Sequence, residues 1–289
     1  MEPMNRSYFI KLFTLNQQDI AIIIAVLIMI SSMAIPFRPE LAFSYRIDGS
    51  KSHSRAKQDL GPIHYQIRFP SRTFSYVQAF REMADRIYRQ SRLYQLIDRE
   101  GFERSFAAFY NLKKKGVIKK DILVIIDYRQ PSYYERFYVV DMKRHKLLYK
   151  SLVAHGKNSG MVYANRFSNR PGSHMSSIGT FLTGETYRGR HGYSLNLLGL
   201  EKGINDQAEK RRIVIHGADY VSRTHIRRYG HLGRSFGCPA LPKQVVNRVI
   251  NTIKDGSCVV ILGDDPSYYS KNSLNRLDRP ARFPVASKS

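Results

Sequence analysis

Residues 213 to 241, IVIHGADYVSRTHIRRYGHLGRSFGCPAL, hold the side chains best suited to chemistry. His216 follows the apolar run Ile213-Val214-Ile215, and Cys238 sits in the turn Gly233-Arg234-Ser235-Phe236-Gly237-Cys238-Pro239. A thiol with an ordinary pKa of about 8.5 is mostly protonated at neutral pH, and its thiolate is the attacking form. An imidazole nearby can take that proton and return it to a leaving amine. Glycines beside the cysteine permit strained backbone angles and the close approach of a carbonyl to N–H groups. The same residue types also have bland uses, a small core cysteine and a loop histidine. Four arginines in the stretch, Arg223, Arg227, Arg228 and Arg234, weigh toward reactivity, because cationic neighbours lower a thiol pKa.

Residue order excludes some thiol enzymes. Papain-like peptidases place Cys before His, and chymotrypsin-like cysteine proteases follow the nucleophile with Gly, where this chain has Pro239. The stretch resembles the L,D-transpeptidases, whose motif is a His, a spacer and then [S/T]-H-G-C, and most of all their murein L,D-transpeptidase catalytic-domain branch. Further marks of that branch lie upstream in order: His155-Gly156 and Asn158-Ser159-Gly160 in VAHGKNSG, Phe167-Ser168-Asn169, Ser176-Ser177-Ile178-Gly179, then Tyr187, Gly189, His191 and Gly192, and Gly217 to Ser222. The resemblance covers residues 120 to 262.

Carried over, it implies Cys238 as nucleophile, His216 as base, and the N–H groups of Gly237 and Cys238 as oxyanion hole. Ser235 occupies the [S/T] position, and Arg234, Tyr220, Gly217 and His191 are implied as substrate-binding. Arg234 could hold a substrate carboxylate or be a solvated loop charge. The chain departs from the broader motif at Phe236, where His is usual, and at Pro239-Ala240, where a hydrophobic residue and Asn are usual. His216 and Cys238 are 22 positions apart, longer than the broader motif allows, so the spacer is expected to elaborate over the site. Within it His225 and His231 are alternative bases. The third member of any triad is unassigned.

The rest of the chain must position these residues. Its 289 residues and 43% hydrophobic content suit one large domain or two small ones. Residues 1–36 carry Arg6, Lys11, the apolar run Ile20 to Ile30 and a small-x-Ala end at Ala34, which reads as a signal peptide, with an uncleaved signal anchor as the alternative. Residues 37–70 read as a basic linker. Over 71–116 apolar spacing predicts two helices, the first from Tyr76 through Leu93 and Ile97 to a stop at Gly101, the second carrying Phe102, Phe106, Phe109 and Tyr110. Residues 117–264 are expected to be the catalytic domain, with strands at 122–127, 137–141, 147–154 and 258–262 and a helix at 243–254 whose N-terminal dipole would favour the Cys238 thiolate. The tail, 265–289, reads as disordered. The fold class is therefore α+β, a mainly β domain that the resemblance makes an L,D-transpeptidase-like β-sandwich, preceded by a short helical region.

Forty-seven Lys plus Arg against twenty-three Asp plus Glu give a net charge of +24. Nucleic acid is one partner for such a chain, but the cations are dispersed, no nucleic-acid motif is present, and an export signal removes nucleic acid from reach. An anionic cell envelope fits better, with a membrane tether if the N-terminal segment is retained. Cys258 starts an apolar strand and suits a core thiol rather than a disulfide to Cys238. No Cys/His spacing suits zinc, and no metal or cofactor is expected. The resemblance implies an exported, periplasmic or envelope enzyme acting on peptidoglycan stem peptides by transpeptidation or L,D-carboxypeptidation. A non-catalytic cationic envelope- or peptidoglycan-binding protein is the alternative.

Overall fold

The computed structural model describes residues 73–271 together with 274 and 275, so the signal segment at 1–36 and the basic linker at 37–70 lie outside the described residues. In chain order the elements are helices α1 (Thr73–Gln90) and α2 (Arg99–Lys114), strands β1 (Ile122–Asp127), β2 (Phe137–Asp141), β3 (Lys146–Ser151), β4 (Gly179–Gly189), β5 (Gly192–Gly199) and β6 (Val214–Ala218), helix α3 (Arg223–Tyr229), strand β7 (Ala240–Pro242), helix α4 (Lys243–Ile253), strand β8 (Cys258–Leu262) and helix α5 (Pro266–Lys271). All lie within one compact unit, Gln66–Ser289.

The strands pair in the order β3-β2-β1-β8-β4-β5-β6-β7. Beyond β3 the chain continues to Ala154, which exchanges backbone hydrogen bonds with Ala240 of β7 (2.9 and 3.3 Å). The two ends of the sheet therefore meet, and the sheet is barrel-like. Strand residues point alternately to opposite faces. On β1, Leu123 and Ile125 enter one core while Val124 and Ile126 enter the other; on β8, Cys258, Val260 and Leu262 oppose Val259 and Ile261. Both faces are covered, which explains runs that are apolar at every position rather than every second one.

Helices α1 and α2 cover one face. Phe80, Ala84, Ile87 and Tyr88 form the buried stripe of α1, at helical spacing. Phe106 stacks on Phe80 with centroids 5.0 Å apart, and Phe102 on Tyr88 at 5.1 Å. The first helix is shorter than its apolar spacing predicts. It ends at Gln90, Arg92 turns into the left-handed region (φ 57°), and Leu93 begins a short 3-10 turn. Gly101 is no terminator. It lies in the first turn of α2, where Asp98 caps the helix by accepting the Gly101 N–H at 2.8 Å. A side chain at Gly101 would collide with the Arg129 guanidinium, so that glycine serves close packing.

The expected disordered tail is also corrected. Past Asp264 the chain forms α5, whose buried Tyr268 donates its hydroxyl to the buried Glu201 (3.2 Å) and accepts from Asn275 (3.1 Å). That network holds at least part of 265–289 against the domain; 276–289 lie outside the described residues. Among the described residues, no helix is long and apolar enough to cross a membrane.

Candidate active site

His216 sits in the middle of β6, opposite Ala240 of β7 in parallel register. Two residues before Ala240 is Cys238, so adjacent segments carry the two side chains. The imidazole is buried, and its Nδ1 lies 3.1 Å from the Gly217 carbonyl oxygen. Carbonyls only accept, so Nδ1 carries the proton and Nε2 is the basic nitrogen. The third partner left unassigned by sequence is thus a backbone carbonyl. Burial holds the His216 pKa below its ordinary value, with the charge of His191, whose ring centroid lies 4.5 Å away, acting in the same direction.

No hydrogen bond joins His216 to the sulfur in this arrangement. The Cys238 thiol instead faces the Arg212 carbonyl oxygen at 3.6 Å. Resting catalytic hydrogen bonds commonly tighten only with substrate bound. The expectation that basic surroundings and the α4 dipole would lower the thiol pKa is overturned: burial raises it, and the Val214 N–H and the Arg211 charge offset this only in part. Strand β7 separates Cys238 from α4, and Arg223, Arg227 and Arg228 belong to the exposed helix α3. A neutral thiol beside a neutral imidazole is the resting pair.

The turn around Cys238 is built from side-chain hydrogen bonds. Gly237 has φ 125°, a conformation that favours glycine, and a Cβ there would lie 2.8 Å from the Met175 carbonyl oxygen. Its N–H donates to Ser235 Oγ (3.0 Å), and that hydroxyl donates onward to the Cys238 carbonyl (2.6 Å). Ser235 is therefore a brace of the turn. Of the two N–H groups expected to form an oxyanion hole, Gly237's is engaged in the turn; Cys238's has no hydrogen-bond partner among the described residues. Ser176 Oγ donates to the Gly237 carbonyl (3.1 Å) and accepts from the Gly156 N–H (3.0 Å), and the Ser176 N–H donates to Ser159 Oγ (2.8 Å). The motifs VAHGKNSG and MSSIG thus converge on the turn that carries Cys238.

The substrate-binding candidates separate. Arg234 donates to the carbonyls of Lys157 (3.2 Å) and Gly160 (3.3 Å), which ties down its own loop. Gly217 supplies the carbonyl that orients His216, and a Cβ there would meet Val246 Cγ1 at 2.9 Å. Tyr220 packs over Gly233; burial raises its pKa to about 12, with Cys238 contributing further. His191, Gly217 and Tyr220 line a cleft of about 510 Å³. His225 and His231 are not brought to the thiol. Their Nδ1 atoms bond the carbonyls of His231 (2.9 Å) and Leu232 (2.6 Å); the long spacer folds into α3, which carries His225, is capped by Ser222 and ends at Gly230 in a left-handed conformation, with His231 just beyond it. Phe236, in place of the usual histidine, is 59% exposed between the His174 ring (4.6 Å) and Lys157 Nζ (4.7 Å).

Two arginines escape a reading of the sequence. Arg211 donates to the carbonyls of Ser168 and Met175 and to Ser173 and Ser177 Oγ, which fixes its charge near the thiol. Arg136 is fully buried and has no carboxylate partner among the described residues. Its guanidinium donates to the carbonyls of Val153 (3.2 and 3.1 Å) and Gln130 (2.6 Å) and to His155 Nδ1 (2.7 Å), and lies over the Tyr128 ring. His155 in turn accepts the Ser235 N–H on its carbonyl (2.9 Å). Burial lowers the Arg136 pKa to about 10; burial and then the Arg136 charge lower that of His155 to about 3. Nothing in the spacing of FYVV or its flanks signals that Arg136 points inward. Among the described residues, no group of acidic, His and Cys side chains could hold a metal ion.

Residues 94–262 match the L,D-transpeptidase catalytic domain family. No curated protein matches the chain. Similar solved structures include an L,D-transpeptidase from Mycobacterium smegmatis (13% identity, 50% of this chain and 59% of that one, TM-score 0.30), the helical cell shape determining protein Pgp2 from Campylobacter jejuni (12%, 63% and 60%, 0.37) and an L,D-transpeptidase from Stackebrandtia nassauensis (15%, 56% and 68%, 0.31). The chain spans about six-tenths of the length of the first of these. The family match extends from the turn before α2 to the end of β8 and takes in the sheet, His216 and Cys238; spanning more than half the chain, it shows that this protein belongs to the L,D-transpeptidase catalytic domain family.

Proposed function

We propose that this protein is a cysteine L,D-transpeptidase acting on peptidoglycan stem tetrapeptides. One observation carries the reading: the Gly217 carbonyl fixes the His216 tautomer, leaving Nε2 as the basic nitrogen on the strand beside the Cys238 segment. In the proposed reaction, Nε2 takes the thiol proton while sulfur attacks the carbonyl at the L-centre of meso-diaminopimelate. The Cys238 N–H meets the developing oxyanion. As the C–N bond breaks, the proton passes from His216 to the departing amine, and D-Ala leaves a thioester on Cys238. An amine on a second stem then attacks, giving its proton to His216, and the thiol is restored with a cross-link formed. Water in the amine's place gives L,D-carboxypeptidase activity. A net charge of +24 suits an exported enzyme at an anionic envelope, with residues 1–36 cleaved as a signal or kept as an inner-membrane anchor.

The test is incubation of the full chain with disaccharide-tetrapeptide under reducing conditions, read by mass spectrometry beside Cys238→Ala. D-Ala release with dimers or tripeptides from the native enzyme alone is expected, and its acid limb should lie below pH ~6.5, the ordinary imidazole value, because burial lowers the His216 pKa. Equal turnover by the Cys238→Ala protein would sink the mechanism.

A further inference from the structure

The cleft beside the histidine pair has a chemistry that its position makes specific. Besides Gly217, Tyr220 and His191, its walls carry Arg188, Arg190 and Lys243. Lys243 is paired with Asp219 at 2.6 Å. Arg188 and Arg190, on the hairpin that joins β4 and β5, have no carboxylate partner among the described residues. The Arg188 guanidinium lies 5.6 Å over the Tyr193 ring, and Tyr193 is itself fixed by donating its hydroxyl to Asn251 (3.0 Å). Arg190 lies in the tight turn between Gly189 and Gly192, where Gly192 takes φ 76°. Two planar cations without a carboxylate partner among the described residues thus face a cavity that reaches His191, whose ring lies tilted against that of His216.

This inference rests on the transfer reaction proposed above. There the amine that leaves and the amine that arrives occupy the same side of the thioester carbonyl, because arrival is departure reversed, and both exchange a proton with His216. The leaving D-Ala bears a carboxylate on the same carbon as its amine. An arriving diaminopimelate amine at the D-centre is built alike. Whatever occupies the space beside His216 therefore presents an anion one carbon from the reacting nitrogen, and a guanidinium matches a carboxylate with two parallel hydrogen bonds. Arg234 does not line this cleft; from the loop before Cys238 its Nη1 holds the carbonyls of Lys157 and Gly160.

We propose that Arg188 and Arg190 form the carboxylate-recognising subsite for the amino acid that leaves and the amino acid that arrives, and so set a preference for acceptors with a carboxylate beside the amine. The full chain is given a tetrapeptide donor with equal concentrations of isotope-labelled D-alanine and D-alaninamide as competing acceptors, and the two exchange products are counted by mass spectrometry. The native enzyme is expected to prefer the acid, and Arg188→Gln/Arg190→Gln to lower the acid-to-amide ratio about tenfold or more, the scale of a lost charge-assisted hydrogen bond. A control pair on α3, Arg227→Gln/Arg228→Gln, should leave the ratio at its native value. An unchanged ratio in the hairpin variant, or an equal fall in the control, overturns the subsite while native D-Ala release leaves the enzyme reading standing. No D-Ala release by the native chain would instead overturn that reading, and the subsite with it.

Discussion

Cys238 and Cys258 are both free thiols whose pKa values are raised by burial, yet their surroundings differ in kind. Cys258 opens β8, opposite Leu123 of β1 and Leu182 of β4, and is enclosed by the core under α1 and α2. Cys238 lies in a turn with no ladder, held by Ser235, Ser176 and the brace from Arg136 through His155. Acidity in the resting state therefore does not separate the reactive thiol from the inert one. What separates them is access and a base: part of Cys238 is open to solvent and His216 lies on the adjacent strand, while Cys258 has only apolar neighbours and the buried Glu201 within electrostatic reach.

The sharpest way to break that comparison is differential alkylation. In the native protein iodoacetamide should label Cys238, with the label located by mass spectrometry, and should reach Cys258 only through unfolding, which is populated to ~10⁻³ or less in a stable domain. Equal labelling of both thiols would show that the contrast in access is wrong. Next in size is the brace. Arg136→Met would strand the Val153 and Gln130 carbonyls and His155 Nδ1 in the interior, at a cost of about 3 kcal/mol or more by denaturant unfolding, whereas a stability unchanged within error would show that the guanidinium is not needed. The smallest effect concerns pH. With His155 lowered to about 3 in the folded chain and ordinary at about 6.5 when unfolded, the unfolded state binds the extra proton between those values. Stability is full above pH ~6.5 and falls as pH drops from there toward 3, by a few kcal/mol in order of magnitude, and His155→Gln should flatten that part of the unfolding curve.

How much of this was legible in the sequence differs between the two thiols. The Cys258 strand was readable because CVVIL, like ILVIID, is buried on both faces and so must be apolar throughout. That His216 and Cys238 share one place was also readable, since a histidine ending an apolar run and a cysteine in a glycine-rich turn suggest a single site, and β6 and β7 set them on adjacent segments. What the sequence could not show is where polar hydrogen bonds go. Ser235 bonds the Gly237 N–H and the Cys238 carbonyl, Arg234 bonds the carbonyls of Lys157 and Gly160, and neither set of partners could be read because a donor's partner depends on chain segments far away. Arg136 sits in an ordinary-looking flank of β2 and only the meeting of Val153, Gln130 and His155 around it draws it inside. The first helix was overextended for a related reason: Leu93 and Ile97 are apolar because they cap the core from a turn, and core burial does not require helical geometry.

The contact between Ala154 and Ala240 carries a consequence for how activity arises during folding. It joins the two ends of the sheet, and the nucleophile's turn hangs from it, with His155 on one side and Pro239 on the other. Contacts between such distant chain positions carry a loop-closure cost that local contacts do not. The β1–β8 ladder, with Leu123 opposite Cys258, closes a still longer stretch of chain than Ala154 to Ala240 does, so a partly folded chain that holds only the local contacts of α1 and α2 would leave its thiol and imidazole unassembled. The meeting of the two site segments is in that sense a readout of closure: His216 and Cys238 come together in the same step in which the sheet loses its free edges.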